Sequence, residues 1–182
     1  MQAPVIWMTG IPASGKSTIA TLLKEYYQKQ NLPADILDGD EIRNTLSKDL
    51  GFSPQDRKEH NRRVIVVAKL LAKNGITTII PLISPYRETR ELARKEIPNF
   101  VEVYVKASLE ECIRRDPKGL YKKAKAGEIT NMTGLQSTYE EPLNAEIVLD
   151  TEKNTQQQCL EQIISYMKKS GYLKSTPDHK LN

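Results

Sequence analysis

Eight consecutive residues, Gly10-Ile11-Pro12-Ala13-Ser14-Gly15-Lys16-Ser17, fit the pattern G-x-x-x-x-G-K-[ST] without a mismatch. Gly10 and Gly15 permit backbone angles and close approaches that a Cβ would obstruct, so N–H groups can converge on an anion at a helix N-terminus. Lys16 is placed to reach the β- and γ-phosphates of a nucleoside triphosphate, and the Ser17 hydroxyl to join a Mg²⁺ shell; the nucleotide-binding stretch extends to Thr18. Further on, Asp38-Gly39-Asp40 brackets a glycine with two carboxylates. Carboxylates there can hold Mg²⁺ through water or accept a proton from an attacking hydroxyl, or one of them can cap the helix that follows. Arg43, one turn on, carries a guanidinium suited to bidentate capture of a phosphate or sulfate.

These residues need elements to position them. Val5-Ile6-Trp7-Met8 reads as a strand entering the glycine-rich loop, and Thr18 to Lys29 as a helix, with Ile19, Leu22, Leu23 and Tyr26 on one face. Ala34 to Leu37 is a second strand, and Glu41 to Ser47 a short helix. Ser53 is an N-cap with Pro54 at the first helical position, and a long helix runs from about Gln55 to Asn74 and stops at Gly75. Its stripe Val64, Val67, Ala68, Leu71 is core; extended backwards it carries Arg57, His60 and Asn61, so polar groups point inward at the helix start. Ile76 to Ile83 is apolar and β-branched, as a central parallel strand should be, and ends in Ser84-Pro85-Tyr86-Arg87 before a charged helix, Glu88 to Glu96. Phe100 to Val105 and Ala145 to Leu149 complete five strands; one helix runs through Leu109 and Cys112, and Thr155 to Lys169 closes the chain with Cys159, Ile163 and Tyr166 or Met167 inward. Alternating strands and helices predict an α/β domain, a five-stranded parallel sheet with helices on both faces and ligands at the strand carboxyl ends. One domain spans 1–173; the chain turns into a loose polar tail from about Tyr172, bounded as 174–182.

Residues 114–142 are different. Asp116 to Pro142 holds three glycines and two prolines with weak periodicity, and Arg114 to Lys125 has six basic residues and one acid. So long a stretch without clear elements reads as a mobile basic lid that closes over transferring phosphates and excludes water, rather than as a solvated loop. The net charge of +4 sits largely in this segment, which a small polyanionic substrate explains as well as nucleic acid would. No aromatic-interleaved basic surface supports a nucleic-acid partner, and no apolar run approaches a membrane span. The first strand begins too early for a signal peptide, and Cys112 and Cys159 lack metal-ligand spacing; both read as buried thiols of a cytoplasmic protein.

Several stretches in order resemble the adenylylsulfate (APS) kinase family: the Gly10 loop; Leu37-Asp38-Gly39-Asp40 with Arg43; Lys48-Asp49-Leu50-Gly51-Phe52 with Asp56-Arg57; Ile83-Ser84-Pro85-Tyr86-Arg87; and Arg115-Asp116-Pro117-Lys118-Gly119-Leu120-Tyr121-Lys122-Lys123-Ala124 continuing through Gly127-Glu128-Ile129. The resemblance runs from about Val5 to Thr151. It implies a P-loop kinase that moves the γ-phosphoryl group of Mg-ATP to the 3′-hydroxyl of APS, giving 3′-phosphoadenylyl sulfate in sulfate assimilation. ATP and Mg²⁺ are the implied cofactors. Asp38 and Asp40 would sit by the 3′-hydroxyl and the metal, the metal being held by Ser17 and by Asp38 or Asp40 through water. Lys16 and Ser84 complete the implied catalytic set; Ser84 matches a serine phosphorylated in some members and is read mainly as a binding residue, since in-line transfer needs no covalent intermediate. Arg43 and Arg57 would bind the phosphosulfate, Phe52 would stack on the adenine, Ile83 and Lys118 would contact the acceptor, and Arg115 would serve the nucleotide. A homodimer is implied, with ATP sulfurylase as functional partner on a separate chain.

Two positions depart from the family pattern. His60, beside Asn61, stands where the family has Asn; it can donate a hydrogen bond as Asn does, with a charge expected to respond to pH near neutrality. In Asn131-Met132-Thr133-Gly134, Met132 replaces Phe and is expected to cover a purine face with its thioether. Two other readings are a kinase of the same fold acting on another nucleotide conjugate or small alcohol, and a non-catalytic ATP-binding regulatory module. The lid and the Arg43/Arg57 pair favour the kinase, because a switch protein has no use for a second anion pocket.

Overall fold

A computed structural model describes residues 2–174 of the chain. Five parallel strands form one sheet in the order β2-β3-β1-β4-β5, with β1 Val5–Thr9, β2 Ala34–Ile36, β3 Thr77–Pro81, β4 Phe100–Lys106 and β5 Ile147–Asp150. Side chains alternate across the pleat, so each central strand feeds two cores. Ile6 and Met8 of β1, Ile79 of β3 and Val101, Val103 and Val105 of β4 pack on α1 (Lys16–Lys29) and α7 (Gln156–Lys169), through Ile19, Leu23, Tyr27, Ile163 and Met167. Val5 and Trp7 of β1 and Ile80 of β3 face the other way, onto α3 (Pro54–Lys73) and α4 (Arg87–Glu96), through Val64, Ile65, Ala68 and Ala93. Truncating one such fully buried side chain, Leu23→Ala for example, costs about 2–5 kcal/mol.

The sequence-based expectation of helices on both faces therefore holds, with shifts at the ends. β3 stops at Pro81, where a proline has no N–H for the ladder, rather than reaching Ile83. The buried stripe of α3 is Asn61, Val64, Ile65, Ala68 and Ala72. Val67 and Leu71 lie at its flank, half-buried. The α3 start is a capping box: Ser53 accepts from the Asp56 N–H and Asp56 accepts in return, with Pro54 in the first turn. The closing segment also differs from the expected loose tail. Leu173 is buried against the α1/α7 core, and Tyr172 and Leu173 donate to the Met167 carbonyl. Most of the tail read over 174–182 lies outside the described residues.

β1 and β4 are neighbours, yet their crossovers leave in opposite directions, to β2 on one side and β5 on the other. The carboxyl ends of such a pair form a crevice, and the loops that border it collect the site. Two further short helices stand there, α2 (Gly39–Asn44) after β2 and α5 (Leu109–Arg115) after β4. The segment expected to lack structure contains α6, Leu120–Lys125.

Candidate active site

β1 ends in the Gly10 loop because five buried residues in a row hold the strand in the sheet centre. A Cβ on Gly10 would lie 2.5 Å from the Val105 carbonyl oxygen and 2.8 Å from Ser14 Oγ, so only glycine lets the loop cross the end of β4. Gly15 caps α1 in the left-handed conformation with no side-chain partner, which leaves the helix's first N–H groups to face the cleft. Lys16 is buried; its Nζ donates to the carbonyls of Gly10 and Ile11, both at 2.8 Å, and to Ser14 Oγ at 3.3 Å. Burial pulls its ammonium down to about 7, a shift that Cys112 opposes and Lys118 reinforces. Ser17 and Thr18 are exposed on the first turn of α1.

Gly15, Lys16, Ser17 and Thr18 line one cleft of about 700 Å³, which continues past Asp38, Asp40, Arg43, Phe52, Arg57 and His60 to Ile83 and Ser84. The two aspartates differ in what they are free to do. Asp38 is the N-cap of α2, its Oδ1 accepting the N–H groups of Asp40 and Glu41 at 2.9 and 3.2 Å. Asp40 is exposed and its carboxylate takes Lys118 Nζ at 2.6 Å, across 78 positions of sequence. The glycine between them lets Leu82 pack close: a Cβ on Gly39 would meet Leu82 Cδ2 at 2.4 Å and displace that side chain.

Across the cleft, two guanidinium groups converge on one ring. Arg43 lies 4.6 Å and Arg57 5.7 Å from the Phe52 centroid, and the ring remains 58 % exposed, open to a stacking partner. Burial, and then the mutual charge of the pair, lowers the Arg43 pKa. Arg57 is more committed than the sequence suggests. Its Nε donates to the Phe52 carbonyl at 2.9 Å, Nη1 to Thr133 Oγ1 at 2.7 Å and Nη2 to the Asn131 carbonyl at 2.7 Å. It therefore ties the long helix to the lid.

The lid is docked at other points too. Tyr121 of α6 is buried and donates to the Pro12 carbonyl at 3.0 Å. Met132 is buried with Cys112, Tyr121 and Ala124, and Ile11 packs against them. That corrects the expected role of Met132: its thioether fills the lid's own apolar core and does not line the cleft. On the nucleotide side Arg115 lines the cleft, with Nη1 and Nη2 on the Thr151 hydroxyl and carbonyl at 3.0 and 2.8 Å and Nε on Glu111 at 2.7 Å.

His60 also differs from expectation. It is buried, and its Nδ1 has no hydrogen-bond partner among the described residues. Burial, then Arg43 and Arg63, pull its pKa down to about 4, so the ring is neutral near pH 7 rather than titrating there. Ser84 is buried at φ +46°; its Oγ receives the Trp7 indole N–H at 3.1 Å and donates to Asn61 Oδ1 at 3.1 Å. Its hydroxyl proton is thus already committed. Ile83 offers its carbonyl to Thr9 Oγ1 at 2.7 Å.

Sequence reasoning missed the groups that hold these pieces: Arg90, Tyr139 and Glu140. One signal was present. Glu102 interrupts the apolar run Phe100-Val101-Glu102-Val103 inside a central strand, and a buried carboxylate there requires a cationic partner.

Comparison with known proteins gives a consistent result. Residues 2–150 match the family described as adenylylsulphate kinase. The adenylyl-sulfate kinase of Staphylococcus epidermidis is 48 % identical over 174 residues, covering 94 % of this chain and 87 % of that protein. The probable adenylyl-sulfate kinase of Aeropyrum pernix is 48 % identical over 167 residues, covering 90 % and 89 %. Among solved structures, the Mycobacterium tuberculosis APS kinase in complex with AMPPNP and APS superimposes with a TM-score of 0.87 at 42 % identity, covering 92 % of this chain and 98 % of that one.

Proposed function

The chain belongs to the adenylylsulphate kinase family and is an ATP-dependent kinase of APS, and we propose how its residues divide the task of moving the γ-phosphoryl group to the 3′-hydroxyl of APS. One observation carries the reading: two cationic groups of residues, the Lys16 loop and the Arg43/Arg57/Phe52 corner, line a single cleft that Asp40 lines too. A two-substrate transfer needs that arrangement, because an in-line displacement requires both reactants held at once.

On the donor side, the loop N–H groups and Lys16 hold the polyphosphate, and Arg115 borders the nucleotide. On the acceptor side, Phe52 stacks on the adenine and Arg43 neutralises the phosphosulfate, with Arg57 supporting both ring and lid. Asp40 orients the attacking hydroxyl and receives its proton, while Asp38 fixes the start of α2 and keeps one carboxylate oxygen free of backbone bonds. Lys118, now on Asp40, turns to the transferring group when substrate oxygens compete for it. Ser84 is a wall of the acceptor pocket. Ser17 and the free oxygen of Asp38, or Asp40, acting through water, fit a hard cation that prefers oxygen ligands. When bound, Mg²⁺ neutralises charge on the phosphates.

The catalytic unit is read as 1–173, working as a homodimer in the cytoplasm beside a separate ATP sulfurylase. Support for the compartment is that Cys112 and Cys159 are buried free thiols; no helix of the described residues is long and apolar enough to cross a membrane. A hexameric APS kinase from Thiobacillus denitrificans shares the fold at a TM-score of 0.72 and 29 % identity, so light scattering on the purified chain is the direct test of the dimer.

The experiment for the reaction is coupled ADP release from Mg-ATP with APS, AMP, adenosine or no acceptor. Release that depends on APS and disappears in Asp40→Ala supports the reading. Slow release indifferent to APS sinks the acceptor assignment and leaves only the phosphate loop.

A further inference from the structure

The most deeply buried ion pair among the described residues lies beside the cleft, with no atom lining it. Arg90 of α4 and Glu102 of β4 are 2 % and 4 % exposed, with Nε donating to Oε1 at 2.7 Å. A pair that served stability alone could close on itself, and well-packed apolar residues often replace such pairs without loss. Arg90 does not close on itself. Its Nη1 donates to the Ser84 carbonyl and its Nη2 to the Glu140 carbonyl, both at 2.6 Å. The three acceptors belong to the central sheet, to the turn that walls the acceptor pocket and to the carboxyl stem of the lid.

That turn and that stem are stitched together around the same guanidinium. The Glu140 N–H donates to the Pro85 carbonyl at 2.8 Å, and the Glu140 carboxylate accepts the Arg87 N–H at 2.7 Å. Arg90 lies 5.9 Å over the Tyr139 ring, whose hydroxyl shares a hydrogen bond with Thr9 Oγ1 at 2.9 Å. Ser84 sits at φ +46°, a conformation that a non-glycine residue keeps only where its surroundings over-determine it. The amino stem of the lid is anchored elsewhere, by Arg115 on Thr151 and Glu111. The two stems are thus anchored at separate places in the fold.

We propose that Arg90 is a positioning residue that couples the carboxyl stem of the lid to the Ser84 turn, so that APS affinity depends on its three-way fork and ATP affinity does not. The proposal rests on the APS kinase reading above. A lysine at this position keeps the charge for Glu102 but has no planar fork, and cannot hold both carbonyls in the same geometry.

The test compares Arg90→Lys and Glu140→Ala with the wild type, reading KM for each substrate, tryptic cleavage at the lid lysines and the emission of Trp7, the single tryptophan. Trp7 reports the turn because its indole bonds Ser84 Oγ. In Arg90→Lys, kcat/KM for APS is expected to fall about 100-fold while KM for ATP moves less than about twofold. Trp7 emission should shift and the lid lysines should cut faster. Glu140→Ala loses only the half-exposed Arg87 contact, so about a fivefold rise in KM for APS is expected. Both KM values rising in step, or an unchanged APS KM with a lowered melting point, overturns the coupling and leaves a structural ion pair. Should Arg90→Lys fail to fold, Glu102→Gln weakens the same fork at its carboxylate, and an unchanged APS KM in that variant overturns the coupling alone. A wild type without APS-dependent ADP release sinks the underlying acceptor reading instead, and is recognised because it fails together with the variants.

Discussion

The two halves of the cleft are built by different means. The donor half is mainly backbone: loop N–H groups, the first turn of α1 and one lysine held by its own loop's carbonyls. The acceptor half is assembled from side chains on separate elements, Asp40 on α2, Phe52 before α3, Arg57 and His60 on α3 and Ser84 after β3, and much of it is fixed through the lid. A backbone site needs only its local conformation; a side-chain site needs every distant partner in place. Damage to the donor half should therefore stop the reaction without altering the fold, and damage to the acceptor half should loosen one substrate at a time.

The largest expected effect lies in the donor half. Lys16→Ala removes the loop's ammonium group from the transferring phosphates and should lower kcat by about a thousandfold, since preorganised charge at the reacting group is worth that much. Circular dichroism should show an unchanged fold. The same lysine gives a second readout with a defined sign. Its pKa is near 7 in the protein, so above pH 7 it is largely neutral. A bound triphosphate supplies the anionic partner that burial lacks and raises that pKa, so ATP binding at pH 8 should take up close to one proton. Calorimetry in two buffers of different ionisation enthalpy reads this uptake. Its absence would mean that Lys16 stays charged throughout, its ammonium sustained by the Gly10 and Ile11 carbonyls.

That asymmetry also explains what could be read in advance. The phosphate loop is eight adjacent residues whose glycines and lysine carry their own geometry, so strand, loop and helix were legible together. In the acceptor half the carboxylates of Asp38 and Asp40 and the Arg43 guanidinium were legible from residue type, but the rest only through family likeness, because its contacts span wide separations: Arg57 to Thr133, Lys118 to Asp40, Arg90 to Glu140. Which aspartate caps α2 could not be settled from Asp38-Gly39-Asp40 alone, since either residue type accepts N–H groups. α6 escaped notice because it buries just Tyr121 and Ala124 in six residues between glycines, too little to make a periodic stripe. Met132 was misread for the same reason: with α6 unseen, the lid had no apolar core for it to fill.

A smaller effect sharpens the difference between the halves. Arg57→Lys keeps the charge in the corner but loses the fork that holds Thr133, Asn131 and the Phe52 carbonyl. Two charge-assisted bonds to the lid are lost, and KM for APS should rise about 30-fold. KM for ATP should stay close to the wild-type value, and limited trypsin digestion should find the lid lysines sooner. An equal rise in both KM values would break the comparison, because it would show the lid acting on the two substrates as one body.

The smallest effect on catalysis is expected at His60, and its stability signature makes it testable. The depressed pKa, about 4 against about 6.5 for an unperturbed histidine, means the folded protein holds the ring neutral while the unfolded chain protonates it on acidification. Between those values the unfolded state binds more protons, so stability falls as pH falls through the window and is unaffected above it. The cost approaches about 3 kcal/mol near pH 4, an order-of-magnitude figure from the shift. His60→Asn removes the titrating group, so urea unfolding at pH 4.5 should favour the variant by more than at pH 7.5. KM for APS in the wild type should stay flat from pH 6 to pH 8, because no proton moves at His60 in that range. A step in that profile near pH 6.5, lost in His60→Asn, would show that the acceptor half carries a charge that its burial and its arginine neighbours exclude, and the division between backbone-built and side-chain-built halves would then need a titrating group at the boundary.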